Sequence, residues 1–207
     1  MERCVIVGGS AIDNYEFVRK HISKEDYIIY CDCGLAHMEK LKAEPSLIVG
    51  DFDSHENPHL ETETIVLPRV KDDTDTLYAV KEAIKRGYTD FVLVGVLGKR
   101  FDHTLGNLAI LLMLEEKGMR GKIIDDFSEI TVVSDSCMIK DDCKYFSVLA
   151  AGGDAHGVTI KNAKYNAHDM DIDITFPIGV SNEVQRGSSA FVSVREGKVF
   201  IIKVYTE

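Results

Sequence analysis

Short, continuous apolar runs separated by longer amphipathic stretches dominate the first 125 residues of the chain. Six of these runs are Arg3–Val7, Tyr27–Cys31, Leu47–Val49, Thr64–Leu67, Phe91–Val94 and Lys122–Ile124. They are rich in Val and Ile and mostly do not alternate with polar residues, which is the pattern of strands in a parallel sheet covered on both faces. Helices fit between them at Asn14–His21, Leu35–Leu41, Thr74–Arg86 and Thr104–Lys117. In the third, Thr74 can cap the start, Leu77, Val80 and Ile84 share a face, and Gly87 stops the helix. The fourth is apolar over a wide arc, so it is expected to be largely buried.

The texture changes near Asp125. Seven short β-like runs follow: Glu129–Ser134, Cys137–Ile139, Tyr145–Ala150, Gly157–Lys161, Asp171–Phe176, Ala190–Arg195 and Val199–Tyr205. Turn residues separate them, as in Ala151-Gly152-Gly153-Asp154. The expectation is an α/β domain over residues 1–125 with a doubly wound, mostly parallel sheet, followed by an all-β sandwich over 126–207.

The chain has 207 residues and a formal net charge of −10, which argues against a general nucleic-acid binder. No apolar run approaches the roughly 20 residues of a membrane span. The N-terminus lacks the layout of a signal peptide, so a cytoplasmic location is expected. Five scattered cysteines do not make a disulfide framework, and Cys31-Asp32-Cys33 has no second pair to complete a zinc site.

Charge becomes informative where it clusters. Asp51 and Asp53 follow the third strand in Gly50-Asp51-Phe52-Asp53-Ser54. Lys71, Asp72, Asp73, Thr74 and Asp75 precede a helix, and Arg100, Asp102 and His103 precede another. In a parallel α/β sheet such strand-to-helix loops open on one edge. Carboxylates converging there repel unless a cation is present, and Mg²⁺ shared with substrate phosphates is the expected one. Single aspartates are common in turns; recurrence after three strands is what favours a site. Arg100 beside Asp102 suits a phosphate oxygen held by paired donors. Gly8-Gly9-Ser10 and Cys33-Gly34 follow the first two strands and are expected to bring backbone N–H groups close to an anion. Gly8-Gly9-Ser10 does not extend to GxGxxG. Gly95 to Arg100 has the wrong spacing for GxxxxGK[ST].

The order Gly50-Asp51-Phe52-Asp53-Ser54, then Lys71-Asp72-Asp73-Thr74-Asp75, then Gly98 to Asn107 resembles the thiamine pyrophosphokinase family. The likeness continues through Gly157-Val158-Thr159, Lys164-Tyr165 and Gly179-Val180-Ser181-Asn182-Glu183. The resemblance implies transfer of a pyrophosphoryl group from ATP to the hydroxyethyl oxygen of thiamine, with Mg²⁺ and release of AMP. It implies a homodimer in which thiamine lies between the α/β domain of one subunit and the β-domain of the other. Asp51, Asp53 and Asp75 match the acidic positions for metal and nucleotide. Asp32, Gly34, Lys71, Asp72, Thr74, Arg100 and His103 match the nucleotide side. Arg100 and Asp102 match the pair beside the phosphates and the attacking hydroxyl, while Asp75, Asp102, Ser181 and Asn182 match the acceptor side. Asp102 or Asp75 would take the hydroxyl proton. The alternatives are a pyrophosphokinase for another heterocyclic alcohol such as a pterin, a non-catalytic thiamine- or nucleotide-binding regulator, and a nucleotidyl-transfer enzyme with an Asp-x-Asp metal site.

Overall fold

A computed structural model describes residues 3–52, 60–68, 70, 72–98 and 100–206. It divides into two compact units, residues 1–110 with 118–126, and residues 111–117 with 127–207. Among the described residues no helix is long and apolar enough to cross a membrane.

The first unit is built on six strands: β1 (Arg3–Val7), β2 (Tyr27–Cys31), β3 (Leu47–Gly50), β4 (Thr64–Val66), β5 (Asp90–Val94) and β6 (Arg120–Ile124). They lie in the order β4-β3-β2-β1-β5-β6, every neighbouring pair parallel. The continuous apolar runs are explained by this arrangement, because β1, β2, β3 and β5 are buried almost throughout. One face carries α1 (Tyr15–Arg19), a 3-10 helix (Asp32–His37) and α2 (Met38–Leu41) against Val5, Val7, Ile28, Tyr30, Val92 and Val94. The alternate residues of β1 and β2 point the other way, and α3 (Asp75–Lys85) packs on β1, β2 and β3 through its buried Ala79, Val80 and Ala83. Thr74 Oγ1 accepts from the Leu77 N–H at 3.2 Å, so the expected cap is present. Removing such a cap costs about 1 kcal/mol.

The order reverses direction between β1 and β5. The connections leaving β1 and β5 therefore run to opposite sides, which opens a crevice at the carboxyl ends of these strands. Gly8 N–H donates to Val94 O at 2.9 Å and Ser10 N–H to Gly95 O at 2.8 Å, tying the two strand exits together.

The second unit holds β7 (Ser128–Val133), β8 (Ser136–Lys140), β9 (Tyr145–Ala150), β10 (Ala155–Lys161), β11 (Ala167–Ile172), β12 (Ser189–Ser193) and β13 (Val199–Val204). β13 pairs antiparallel with β7 and β9, and β11-β10-β12-β8 form a four-stranded antiparallel sheet. Phe146, Val148, Val199 and Ile201 from the first group bury against Ile139, Val158, Ile160, Ile172 and Val192 from the second, which is the core of a sandwich.

Three expectations need correction. The strand expected at Asp171–Phe176 is β11 at Ala167–Ile172. Asp173 ends it: its Oδ1 accepts from the Thr175 N–H and Oγ1, both at 2.6 Å, and this side-chain turn competes with the ladder. The fourth helix, α4 (Phe101–Glu116), begins three residues early, so Asp102 and His103 sit in its first turn rather than in a preceding loop. Its amino-terminal half is mostly not buried; Phe101 and Leu105 are exposed, while Ile110, Leu111 and Leu114 are covered.

Candidate active site

The β-strand ends of the first unit enclose a cavity of about 610 Å³, within the usual size range of small-molecule sites. Its walls come from the residues after β1 (Gly8 to Ala11), the β2 exit (Cys31 to Cys33), Asp51 after β3, the start of α3 (Thr74 to Thr76), and the β5 exit with α4 (Gly95, Val96, Arg100, His103 and Asn107). Five separate chain segments meet there because a parallel sheet delivers all its strand exits to one edge.

Of the residues expected from the sequence, Asp32, Asp51, Thr74, Asp75, Arg100 and His103 line this cavity. Gly34, Asp72 and Asp102 do not line it. Asp53 and Lys71 lie outside the described residues, as do Ser54, His55, His59, Arg69 and Lys99. Ser181 and Asn182 belong to the second unit.

Asp32 opens the 3-10 helix directly after β2 and is only 5% exposed. Asp75 is the first residue of α3, where the helix dipole favours a carboxylate. Burial pushes the Cys31 thiol up, and the nearby Asp75 carboxylate pushes it further, so this sulfur is a neutral wall group. Three carboxylates and one guanidinium among the described wall residues leave the cavity acidic. A cation is needed to let an anionic phosphate enter such a site.

Arg100 and Asp102 form a bidentate pair, Nε to Oδ1 at 3.0 Å and Nη2 to Oδ2 at 2.6 Å. Both side chains are largely exposed, at 71% and 63%. The Arg100 hydrogen bonds draw the Asp102 carboxyl down to about 2, helped by the His103 N–H at 3.0 Å. A pair this exposed contributes little net stability, so an arriving phosphate can compete for the guanidinium. Asp73 is engaged elsewhere, accepting from Lys81 Nζ at 2.7 and 2.8 Å.

Gly8 and Ser10 donate their N–H groups to the β5 exit. What the glycines near the cavity provide is close approach. A Cβ on Gly34 would run into the Val7 carbonyl, and one on Gly8 would meet Gly95 O at 2.6 Å.

Some contributors were not singled out from the sequence. The buried Asn107 donates from Nδ2 to Val96 O at 2.7 Å, holding the β5 exit against α4. Thr104 Oγ1 accepts from the Gly98 N–H at 3.2 Å in the same loop. Buried His37 bridges Ser10 and Tyr15. Only the spacing of the Gly98–Asn107 run pointed towards the first two, and a lone histidine in an amphipathic stretch carried no signal for the third.

In the second unit Asn182 is 6% exposed, and both its amide oxygen and its amide nitrogen are engaged. Oδ1 accepts from the Tyr165 N–H at 3.0 Å and the Glu183 N–H at 2.9 Å, and Nδ2 donates to Tyr165 O at 2.7 Å. Tyr165 itself is 62% exposed. Ser181 adopts a left-handed backbone, φ 59°, and its N–H donates to Ser147 Oγ at 3.0 Å.

Comparison with known proteins gives both halves of the chain the same relatives. The model of the thiamin pyrophosphokinase catalytic domain matches residues 18–123, and that of the thiamin pyrophosphokinase vitamin B1 binding domain matches residues 136–199. Thiamine pyrophosphokinase of Bacillus subtilis is 28% identical over 153 residues, covering 69% of this chain and 72% of its own. The crystal structure of thiamine pyrophosphokinase from Bacillus subtilis superposes with a TM-score of 0.87 at 20% identity, covering all of both chains. That of yeast thiamin pyrophosphokinase superposes with a TM-score of 0.78 at 13% identity, covering 99% of this chain and 86% of its own. These two structures are alike in fold, and the family assignment comes from the two sequence models. The chain belongs to the thiamin pyrophosphokinase family of enzymes.

Proposed function

We propose that this protein transfers the pyrophosphoryl group of ATP to the hydroxyethyl oxygen of thiamine, giving thiamine diphosphate and AMP. The observation that carries the reading is the cavity at the reversal point of the sheet, walled by Asp32, Asp51, Asp75 and Arg100 from four different chain segments. In this reading residues 1–125 hold the nucleotide and residues 126–207 hold thiamine.

The thiamine oxygen attacks the β-phosphorus, the bond between that phosphorus and the bridging oxygen to the α-phosphorus breaks, and AMP carries the electrons away. Such transfer needs alignment and charge neutralisation more than covalent help. Arg100 turns from Asp102 to a phosphate oxygen. Asp75 takes the hydroxyl proton, because it lines the cavity, whereas Asp102 lies off its wall. Mg²⁺ fits the oxygen donors of Asp51 and Asp75, since this ion usually uses one or two carboxylates and shares the rest of its shell with phosphates and water. When bound it would supply positive charge to the phosphate oxygens. Asp53 belongs to the same proposal from its place in the Asp51-Phe52-Asp53 run. Lys71 and Asp72 are proposed on the nucleotide side and Ser181 with Asn182 on the acceptor side.

Homodimer formation belongs to this reading, as does a cytoplasmic location. The latter is supported by the five cysteines, none of which is in a disulfide. Incubation of the protein with ATP, Mg²⁺ and thiamine should yield thiamine diphosphate and AMP in equal amounts, with EDTA abolishing turnover. Release of ADP, or turnover of a pterin alcohol but not thiamine, would overturn the proposal. Light scattering should report a dimer.

A further inference from the structure

Ser10 lines the cavity, and both of its backbone groups are engaged. Its N–H donates to Gly95 O at 2.8 Å, and its carbonyl is 2.9 Å from His37 Nε2. A carbonyl only accepts, so Nε2 carries the proton. The neutral ring then presents Nδ1 as an acceptor, and the Tyr15 hydroxyl donates to it at 2.7 Å. Tyr15 is the first residue of α1, and the chain entering α1 is itself anchored: Asp126 Oδ1 accepts from the Asp13 N–H at 2.9 Å and the Asn14 N–H at 2.7 Å. The links thus run from the exit of β6 through α1 and the 3-10 helix to a cavity wall.

An apolar side chain would fill the His37 position without the cost of burying an imidazole, so the two directed bonds are what the residue adds. Around the ring stand Tyr15 from α1, the Ser10 carbonyl from the β1 exit, and Lys40 from α2, whose Nζ lies 5.1 Å from the Tyr15 ring centre. Asp13 and Asp126 are near Tyr15. Burial first, then Lys40, holds the imidazole below its ordinary value against the opposing Ser10 bond, which keeps it in the neutral form that this bonding pattern requires.

We infer that His37, oriented by Tyr15, is a positioning residue that holds the Gly8–Ser10 loop in the geometry that receives the nucleotide. The inference rests on the nucleotide reading of the cavity proposed above. It concerns binding of ATP and leaves the acceptor untouched.

The test measures the affinity of α,β-methylene-ATP with Mg²⁺ by calorimetry, an analogue whose bridging carbon prevents the cleavage. His37→Leu should bind it about fivefold more weakly, the equivalent of one neutral hydrogen bond. His37→Gln, which keeps an N–H donor near Nε2, should stay within about twofold of the original protein. Tyr15→Phe should weaken binding about two- to threefold by freeing the ring to turn. With ATP saturating, the KM for thiamine should be the same in all three. Equal affinity in His37→Leu and the original protein would overturn the inference and leave the proposed function standing. So would a rise in the thiamine KM that matches the loss of nucleotide affinity. If the original protein itself fails to bind the analogue, both readings fall. Should His37→Leu lack a folded circular-dichroism spectrum, the Tyr15→Phe measurement decides: unchanged affinity overturns the inference.

Discussion

Asn182→Ala separates two roles for one side chain. The motif suggests a ligand contact, whereas the geometry shows an amide that clamps the Tyr165 backbone. Truncation removes the acceptor for the Tyr165 and Glu183 N–H groups and the donor to the Tyr165 carbonyl. Each buried group left unpaired costs about 1–3 kcal/mol, and water reaches part of this segment because Tyr165 is exposed. A net loss of about 2–4 kcal/mol follows from three such groups with partial solvent rescue. The chain contains no Trp, so urea unfolding is best followed by far-UV circular dichroism. Hydrogen exchange adds residue detail: the Phe146 N–H, which donates to Asn182 O at 2.9 Å, should lose protection. A variant that unfolds within about 0.5 kcal/mol of the original, the scatter of ordinary surface substitutions, would refute the clamp. If that variant also raised the thiamine KM, the side chain would be a ligand contact instead.

Asp51→Asn and Asp75→Asn should each lower kcat by about a hundredfold or more while leaving the circular-dichroism spectrum unchanged, since they remove charge stabilisation or the proton acceptor. Near-normal rates in both would refute the site assignment. Gly34→Ala should destabilise the first unit by at least about 1–3 kcal/mol, because the new methyl meets the Val7 carbonyl, which cannot move without breaking the sheet; an unshifted melting temperature would refute this. The folded His37 imidazole titrates below its unfolded value of about 6.5. Between the two values the unfolded chain binds a proton that the folded chain does not, so stability present above pH ~6.5 is lost as pH falls through the folded value. The stability of the original protein relative to His37→Leu should fall on acidification, and a constant difference from pH 8 to 5 would refute that.

Much of the fold was legible because continuous apolar runs are hard to place anywhere but in a doubly covered parallel sheet. Arg3–Val7, Tyr27–Cys31 and Tyr145–Ala150 match their strands residue for residue. Errors came where side chains overrule periodicity. Asp173 turns the chain at a stretch that looks extended, Ile174-Thr175-Phe176. Along α4 the apolar arc did not predict burial, because Leu105 is left exposed by the described residues. The convergence of the acidic loops was legible as topology, since all strand exits share one edge.

Residue types, their spacing after strands, and the family motifs were determined by the sequence alone. Which of these side chains face one another is a property of the folded chain. Asp51 and Asp75 are 24 positions apart and line one cavity, whereas Asp102, two positions from the wall residue Arg100 and paired with it, does not line it. Gly34 and Asn182 read as ligand contacts from the motifs; the folded chain adds what the motifs do not show, close packing of Gly34 against Val7 and hydrogen bonding of Asn182 to Tyr165. Local pattern reports what a residue prefers, but a hydrogen bond or a steric contact between segments 17 or 27 residues apart exists only once the chain has closed those loops.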